Sequence, residues 1–239
     1  MTRQIIEYLA SGERPWRSLA PKIGALPCVL CLRSDRPITR EHIFAHWLVR
    51  QVHGARLVAS HALPGETPSP AAPTRIARVI AGVCAECNAG WMSGLEVSFR
   101  GTLFARPRIG TLQAPDRITL SRWFTKTALL LAEAGGGTLV GAAHRAQLVS
   151  GMPDDIEVFL ARRRRPPQRL DFALDVMTDH DADAVRVRSV AILVDDLVGH
   201  VAARGTLTSR HGTRLWPLRT HTLRWETLPV VTSLAGAPG

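Results

Sequence analysis

The chemistry in this chain starts with its four cysteines, Cys28, Cys31, Cys84 and Cys87. They form two C-x-x-C pairs separated by the 52 residues 32–83. A C-x-x-C turn places two sulfurs on one side of a metal, and two such turns complete a tetrahedron. Four thiolates are a common ligand set of closed structural zinc sites. Two unrelated buried pairs, or a redox C-x-x-C, would not explain why both pairs share one spacing. The spacing therefore predicts one structural zinc ion. A stapled secreted domain usually carries more cysteines at other spacings, so a reducing cytoplasm is the expected compartment.

Three further features surround the cysteines. Arg40-Glu41-His42-Ile43 lies a short distance after the first pair. Asn88 directly follows Cys87, and the second pair reads as the opening of a helix. Closing the two halves of a zinc site would thus bring Glu41, His42 and Asn88 together. Each also has a purely structural reading: a hydrogen-bonded histidine in a packed hairpin, a solvated carboxylate, a helix N-cap.

These motifs resemble those of the HNH nucleases, a zinc-containing branch of the ββα-metal (His-Me finger) superfamily. The pattern there is C-x-x-C, then an acidic residue and a histidine followed by an aliphatic, then C-x-x-C-N or C-x-x-C-H. The resemblance covers about residues 28–100, under a third of the chain. The strings EHIFAHWL and CNAGWMSGLE are similar to an uncharacterised bacterial subgroup. The resemblance implies a treble-clef module with endonuclease activity on DNA. His42 would be the general base that activates water, a role suited to a neutral imidazole near pH 7. Glu41 and Asn88 would hold a catalytic Mg²⁺ or Mn²⁺ through oxygen, as a hard cation requires. The zinc would only hold hairpin and helix together.

The chain departs from the pattern in two places. Glu41 stands where Asp is more usual, and Trp91 and Met92 follow Gly90 where a lysine or histidine is often found. Two rival readings accompany the nuclease: an inactive treble-clef module that binds nucleic acid or protein, and an RNase or toxin-like nuclease. RNA is the alternative substrate. A homodimer or a defence-system partner protein follows from analogy with the family alone.

Charge points the same way. The chain has 30 basic and 20 acidic residues, a net +10, and only Lys22 and Lys126 are lysines. Arginine grips phosphate with a rigid planar fork, and a basic chain is biased towards polyanions. An arginine-rich composition is also what a GC-rich genome produces. Residues 1–110 hold 14 basic and 7 acidic residues, against 16 and 13 in 111–239, so the excess is concentrated in the first part. Arg33, Arg36, Arg40, Arg75 and Arg78 surround the expected site and are the candidate phosphate contacts. The run Arg162–Arg165, flanked by Pro166 and Pro167, reads equally as a phosphate grip or a solvated turn.

The elements that must position these groups can be read more coarsely. Ile5, Ile6, Leu9 and Ala10 pattern a small docking helix. EHIFAHWLVRQVHG suits a helix ended by Gly54, which would put His42 and His46 on one face. Residues 60–75 hold four prolines and read as a surface loop. RIARVIAGV reads as a short strand, and NAGWMSGLEVSFRGTLF as a helix. Residues 119–134 pattern the clearest helix, capped by Thr119 or Ser121 and stopped by Gly135. Trp47, Trp91 and Phe99 have the spacing of core residues, with base stacking as the alternative. The runs after residue 150 are β-branched or alternating and predict a meandering antiparallel sheet. The expected whole is an α+β chain. Residues 1–112 form a zinc-stabilised nuclease-like unit, and 113–239 a helix plus a β-rich unit of unassigned role. No apolar run is long enough to span a bilayer, and no targeting segment is visible, so the chain reads as soluble.

Overall fold

The computed structural model describes residues 27–53, 79–104, 107–163, 170–178, 185–218, 222–232 and 234. The expected docking helix at 2–10, the proline-rich stretch 60–75, and Arg75 and Arg78 lie outside them. The architecture is α+β, with the strands concentrated in the C-terminal half.

The first part is built around two strands, β1 (Ile38–His42) and β2 (Val79–Cys84), paired antiparallel. Ile38 faces Cys84 and Thr39 faces Val83, but Glu41 faces Ile80, so β2 carries one extra residue between these pairs. Such a bulge bends the ladder and re-aims side chains. Helix α1 (His46–His53) follows β1 after a short break. This corrects the sequence expectation: Glu41 and His42 are strand residues, and the helix begins at His46. In ITREH, β-branched Ile38 and Thr39 favour the strand, and pairing with β2 carries it on through His42.

β2 runs into a single helical turn, α2 (Ala85–Cys87), then a wide π-helical turn over Asn88–Met92. Gly90 breaks the helical path there, at φ −90 and ψ −112. Helix α3 (Ser93–Phe104) continues, burying Leu95, Phe99 and Leu103 at a spacing of four. That spacing lines one helix face.

After β3 (Thr111–Leu112) comes α4 (Ala114–Ala134), 21 residues long. It starts five residues before the expected Thr119, with Gln113 as cap and Pro115 in the first turn. Proline is tolerated there because those N–H groups have no intrahelical acceptor, and Asp116 suits the positive end of the helix dipole. Ser121 is not a cap; it is buried mid-helix. Gly135 ends the helix as expected, its N–H returning to Leu131 and Ala132 carbonyls.

Two short elements, β4 (Gly137–Thr138) and α5 (Ala142–Gln147), lead into the main sheet. Its strands are β5 (Ile156–Arg163), β6 (Leu170–Thr178), β7 (Val185–Val194), β8 (Leu197–Ala203), β9 (Thr213–Trp216) and β11 (Val230–Val231), joined by β4. β10 (Leu223–Arg224) pairs instead with β3. The order is β11-β5-β8-β7-β4, with β6 on β7 and β9 on β5. The four long strands are antiparallel neighbours, as expected. β4 and β11, however, join in parallel, so the sheet is mixed rather than a pure meander.

α4 lies across this sheet. Gly199 of β8 sits directly beneath the Phe124 ring, where an added Cβ would come within 2.3 Å of a ring carbon. The glycine is what lets helix and sheet approach. Six consecutive residues of β5 and six of β8 are buried, so both faces of these strands are covered. The face away from α4 is closed by Leu207 and by the chain near Val231 and Leu234. One contiguous apolar core runs from Cys28 and Phe44 through Trp123 to Leu228. Phe44 meets Phe172 of β6 at a ring separation of 6.1 Å, which ties the first part to the sheet.

Candidate metal centre and the polar cluster beside it

The two C-x-x-C turns face each other. All four cysteine sulfurs lie within 4.8 Å of one another, and none is in a disulfide. The Cys31 and Cys84 sulfurs are 3.7 Å apart. A tetrahedron with zinc–sulfur bonds of about 2.3 Å has sulfurs about 3.8 Å apart, so the cluster is positioned to bind a metal such as zinc.

Backbone geometry explains the arrangement. The first turn is closed by the Leu32 N–H on the Cys28 carbonyl at 2.9 Å, and Leu32 takes a left-handed φ of 64. The Val29 N–H donates to the Gly82 carbonyl at 2.8 Å, docking this turn on β2. Amide N–H groups also aim at sulfur: Cys84 donates to Cys28 Sγ, and Cys87 to Cys84 Sγ, each at 3.4 Å. Burial raises the Cys28 thiol, but backbone donation from Cys84, Cys31 and Leu30 outweighs it and the net shift is downward. At Cys87 burial dominates and pushes the thiol up. A bound cation would hold all four as thiolates.

Beside the cluster, β1, which carries Thr39 and Glu41, meets the turn after Cys87, which carries Asn88. Asn88 donates through Nδ2 to Thr39 Oγ1 at 3.2 Å. Thr39 in turn donates to the Val83 carbonyl at 2.9 Å. With Nδ2 of Asn88 donating to Thr39, its carbonyl oxygen remains as an acceptor. Glu41 is partly buried, and burial is the main reason its pKa is raised; Lys126 and the Asn88 amide pull it down, and Glu96 pushes it up.

Those last two charges form a cluster that sequence reasoning missed. Glu96 of α3 accepts from three donors: Trp47 Nε1 at 3.1 Å, Trp123 Nε1 at 2.8 Å and Lys126 Nζ at 2.6 Å. Lys126 is 1% exposed. The box is aromatic: Phe99 stacks flat on Trp123 at 3.8 Å, and Trp47 meets Phe104 edge-on at 5.9 Å. A signal was present in the sequence. Lys126 interrupts the apolar stretch of the longest helix, in a chain that otherwise uses arginine almost exclusively.

The other expected site residues are placed as follows. His42 is exposed, and its ring lies 6.5 Å from that of His46. Among the described residues it hydrogen-bonds neither Glu41 nor Asn88. The structure links Asn88 to β1 through Thr39 and leaves the His42 imidazole exposed. Arg33 is committed to Asp35, with Nε at 3.0 Å and a terminal nitrogen at 2.7 Å. Arg36 pairs with Glu86 at 3.1 Å. Both pairs are solvent-exposed and therefore weak. Arg40 is exposed on β1. Trp47 and Phe99 serve the core, as their spacing suggested. Trp91 is partly buried, with Arg122 of α4 over its ring at 5.3 Å. Arg162 donates to Asp196, at 2.7 and 2.9 Å, and Asp195 and Asp196 also take Arg108.

No family model, no curated protein and no solved structure matches the chain. Among the described residues no helix is long and apolar enough to cross a membrane.

Proposed function

We propose that the protein is a metal-dependent HNH-type endonuclease that hydrolyses DNA phosphodiester bonds. The observation that carries this reading is the convergence of the four cysteine sulfurs, with β1, which carries Glu41, tied through Thr39 to Asn88 directly after Cys87. A carboxylate and an amide carbonyl are the oxygen donors a hard cation prefers. Glu41 and Asn88 would hold Mg²⁺ or Mn²⁺, which polarises a phosphate and stabilises a leaving oxygen when bound. Cys28, Cys31, Cys84 and Cys87 would hold structural zinc. His42, exposed at the end of β1, is open to water and substrate and is the group to take the proton from the attacking water. Thr39 positions Asn88. Arg40, together with Arg75 and Arg78 from outside the described residues, supplies the phosphate contacts; Arg33 and Arg36 would first have to leave Asp35 and Glu86.

That His42 hydrogen-bonds neither Glu41 nor Asn88 among the described residues favours one rival, a zinc module that binds nucleic acid without cutting it. Plasmid and RNA incubated with the purified protein and Mg²⁺ or Mn²⁺ decide between them. Nicking or linearisation that EDTA stops, and that falls at least about a hundredfold in His42→Ala, supports the endonuclease. Ion-independent retention of DNA by a folded, zinc-loaded protein that cuts neither substrate supports the binder.

A further inference from the structure

Helices α1 and α3 together present a basic face. α1 buries Leu48, Val49 and Val52 and leaves His46 and Arg50 exposed. At about 100° per residue, Arg50 falls between the directions of His46 and Trp47. Trp47 is where the two helices meet: its ring lies 6.4 Å from that of Phe99 and 5.9 Å from that of Phe104. Its indole N–H is fixed on Glu96 at 3.1 Å. Exposed Arg100 of α3 lays its guanidinium over the same ring, 5.5 Å from the centre. α3 thus sets a cation beside the exposed face of α1. A guanidinium stacked on an indole is held in place, and its in-plane N–H donors stay available to a ligand.

The row continues onto the hairpin. Arg40 and His42 are exposed on β1 two residues apart, while Glu41 between them is partly buried. The His42 ring lies 6.5 Å from that of His46, and Arg50 is one helical turn beyond His46. Arg40, His42, His46 and Arg50 thus follow one another in steps of roughly 5–7 Å, with Arg100 alongside. Among the described residues, Arg40, Arg50 and Arg100 form no ion pair, whereas Arg33 and Arg36 are held by Asp35 and Glu86. α1 and α3 hold one carboxylate between them, Glu96, and Trp47, Trp123 and Lys126 occupy its oxygens. Asp116 meets α3 at Thr102, about 200° around the helix from Arg100. Single solvated arginines are common on helix faces. A contiguous row with no facing carboxylate is a field that draws a polyanion.

Resting on the reading of the chain as a nucleic-acid enzyme, we propose that this row is a phosphate track. His46, Arg50 and Arg100 grip the backbone of one DNA strand and lead it to His42, with Arg40 on the far side. Charge and spacing together select the occupant: a nucleic-acid strand repeats a single negative charge along a line. Contacts to phosphate fix the register of the strand and carry no sequence information. The aromatic box gains a use in this scheme, because Glu96 and Trp47 are positioning residues that hold Arg100 over the surface. A linkage close to a strand end on the Arg50 side leaves the track partly empty and is a poor substrate.

The test is the salt dependence of DNA-duplex binding by the full, zinc-loaded chain. It is read by fluorescence anisotropy without added Mg²⁺ or Mn²⁺, so that strands stay intact. Each phosphate contact contributes about 0.9 to the slope of log affinity against log salt. The double variant Arg50→Gln, Arg100→Gln should bind more weakly and lose about 2 from that slope between about 50 and 200 mM salt. Arg186→Gln with Arg210→Gln removes the same charge from two exposed positions in the sheet half. That pair should leave the slope within about 0.5 of the parent's. Equal losses in the two double variants would reveal a diffuse field and overturn the track, as would an unchanged slope in the first. If Arg100→Gln disturbs the fold, Arg50→Gln alone should lose about 1 from the slope, and no loss there overturns the track equally. The two readings fail separately. Metal-dependent cutting by the parent, with the slope unmoved by Arg50→Gln and Arg100→Gln, sinks the track alone. Binding that depends on Arg50 and Arg100 but is never followed by cutting supports the track and sinks the endonuclease. A parent that retains no duplex even at about 50 mM salt sinks both.

Discussion

The cysteine module and the main sheet reach order by different means. The module's ladder is five residues of β1 against six of β2, interrupted by a bulge. An isolated two-stranded pair is marginal in water. Its geometry is enforced by four sulfurs converging on one point and by backbone N–H groups aimed at them. In the sheet, by contrast, β5 and β8 are buried on both faces, and the long strands pair along most of their length. One region is ordered by ligation and the other by burial. The groups proposed for chemistry are all on the ligation side, where small shifts of a turn move a side chain. The stabilising mass sits on the burial side, and Glu96 with Lys126 and Trp123 is the joint between them.

The sharpest way to break this contrast is to remove a sulfur. Cys87→Ser should release the metal and cost roughly 5 kcal/mol or more of module stability, since structural zinc is worth about 10 kcal/mol or more in folding. Hydrogen exchange should show amides of β1, β2 and the two turns losing protection while β5, β7 and β8 keep theirs. Uniform loss across both regions would mean that the sheet, too, depends on the metal.

Next in size is the joint. Glu96→Ala strands a buried ammonium and two indole N–H groups, which should cost about 3–5 kcal/mol by denaturant titration. A cost below about 1 kcal/mol would show that the two regions are coupled by apolar packing alone.

Gly199→Ala probes the burial side by itself. The new methyl meets the Phe124 ring, and overpacking of this kind should destabilise by about 1–3 kcal/mol without changing metal content. Reduced metal content in that variant would show that strain beneath α4 reaches the cysteines.

The smallest effect is a pH dependence confined to the sheet. His200 of β8 is buried, its Nε2 has no hydrogen-bond partner among the described residues, and burial, with His211 nearby, drops its pKa to about 3. The folded state thus keeps the imidazole neutral while the unfolded chain protonates near pH 6.5. Stability is fully present above about pH 6.5 and is lost as pH falls towards 3. Between pH 7 and pH 5 the loss should be about 2 kcal/mol. His200→Phe should flatten that slope in thermal melts, and an unchanged slope would place the acid sensitivity elsewhere.

Much of this arrangement was legible from spacing. The repeated C-x-x-C located the sulfur cluster. The strands from β5 to β8 announced themselves through long β-branched runs, as did the stop of α4 at Gly135. What was hidden depends on partners far away in sequence. β1 is extended because β2 pairs with it, although its neighbours have helical periodicity. The helix α4 begins early because Pro115, usually a breaker, falls in its first turn. The parallel additions of β4 and β11 are two residues each, too short to carry a pattern. Glu96 and Lys126 lie 30 residues apart, and only the docking of α4 on α3 makes them a pair.

The π turn at Asn88–Met92 works as a phase offset. A residue gained or lost in an α-helix rotates everything downstream by about 100°. Tightening this turn by one residue would swing α3 relative to the cysteines. Leu95, Phe99 and Leu103 would leave the core face, and Glu96 would leave its aromatic box. A one-codon deletion between Cys87 and Ser93 should therefore be more damaging than most substitutions there. Across species, the length of this stretch should hold constant even where its side chains drift.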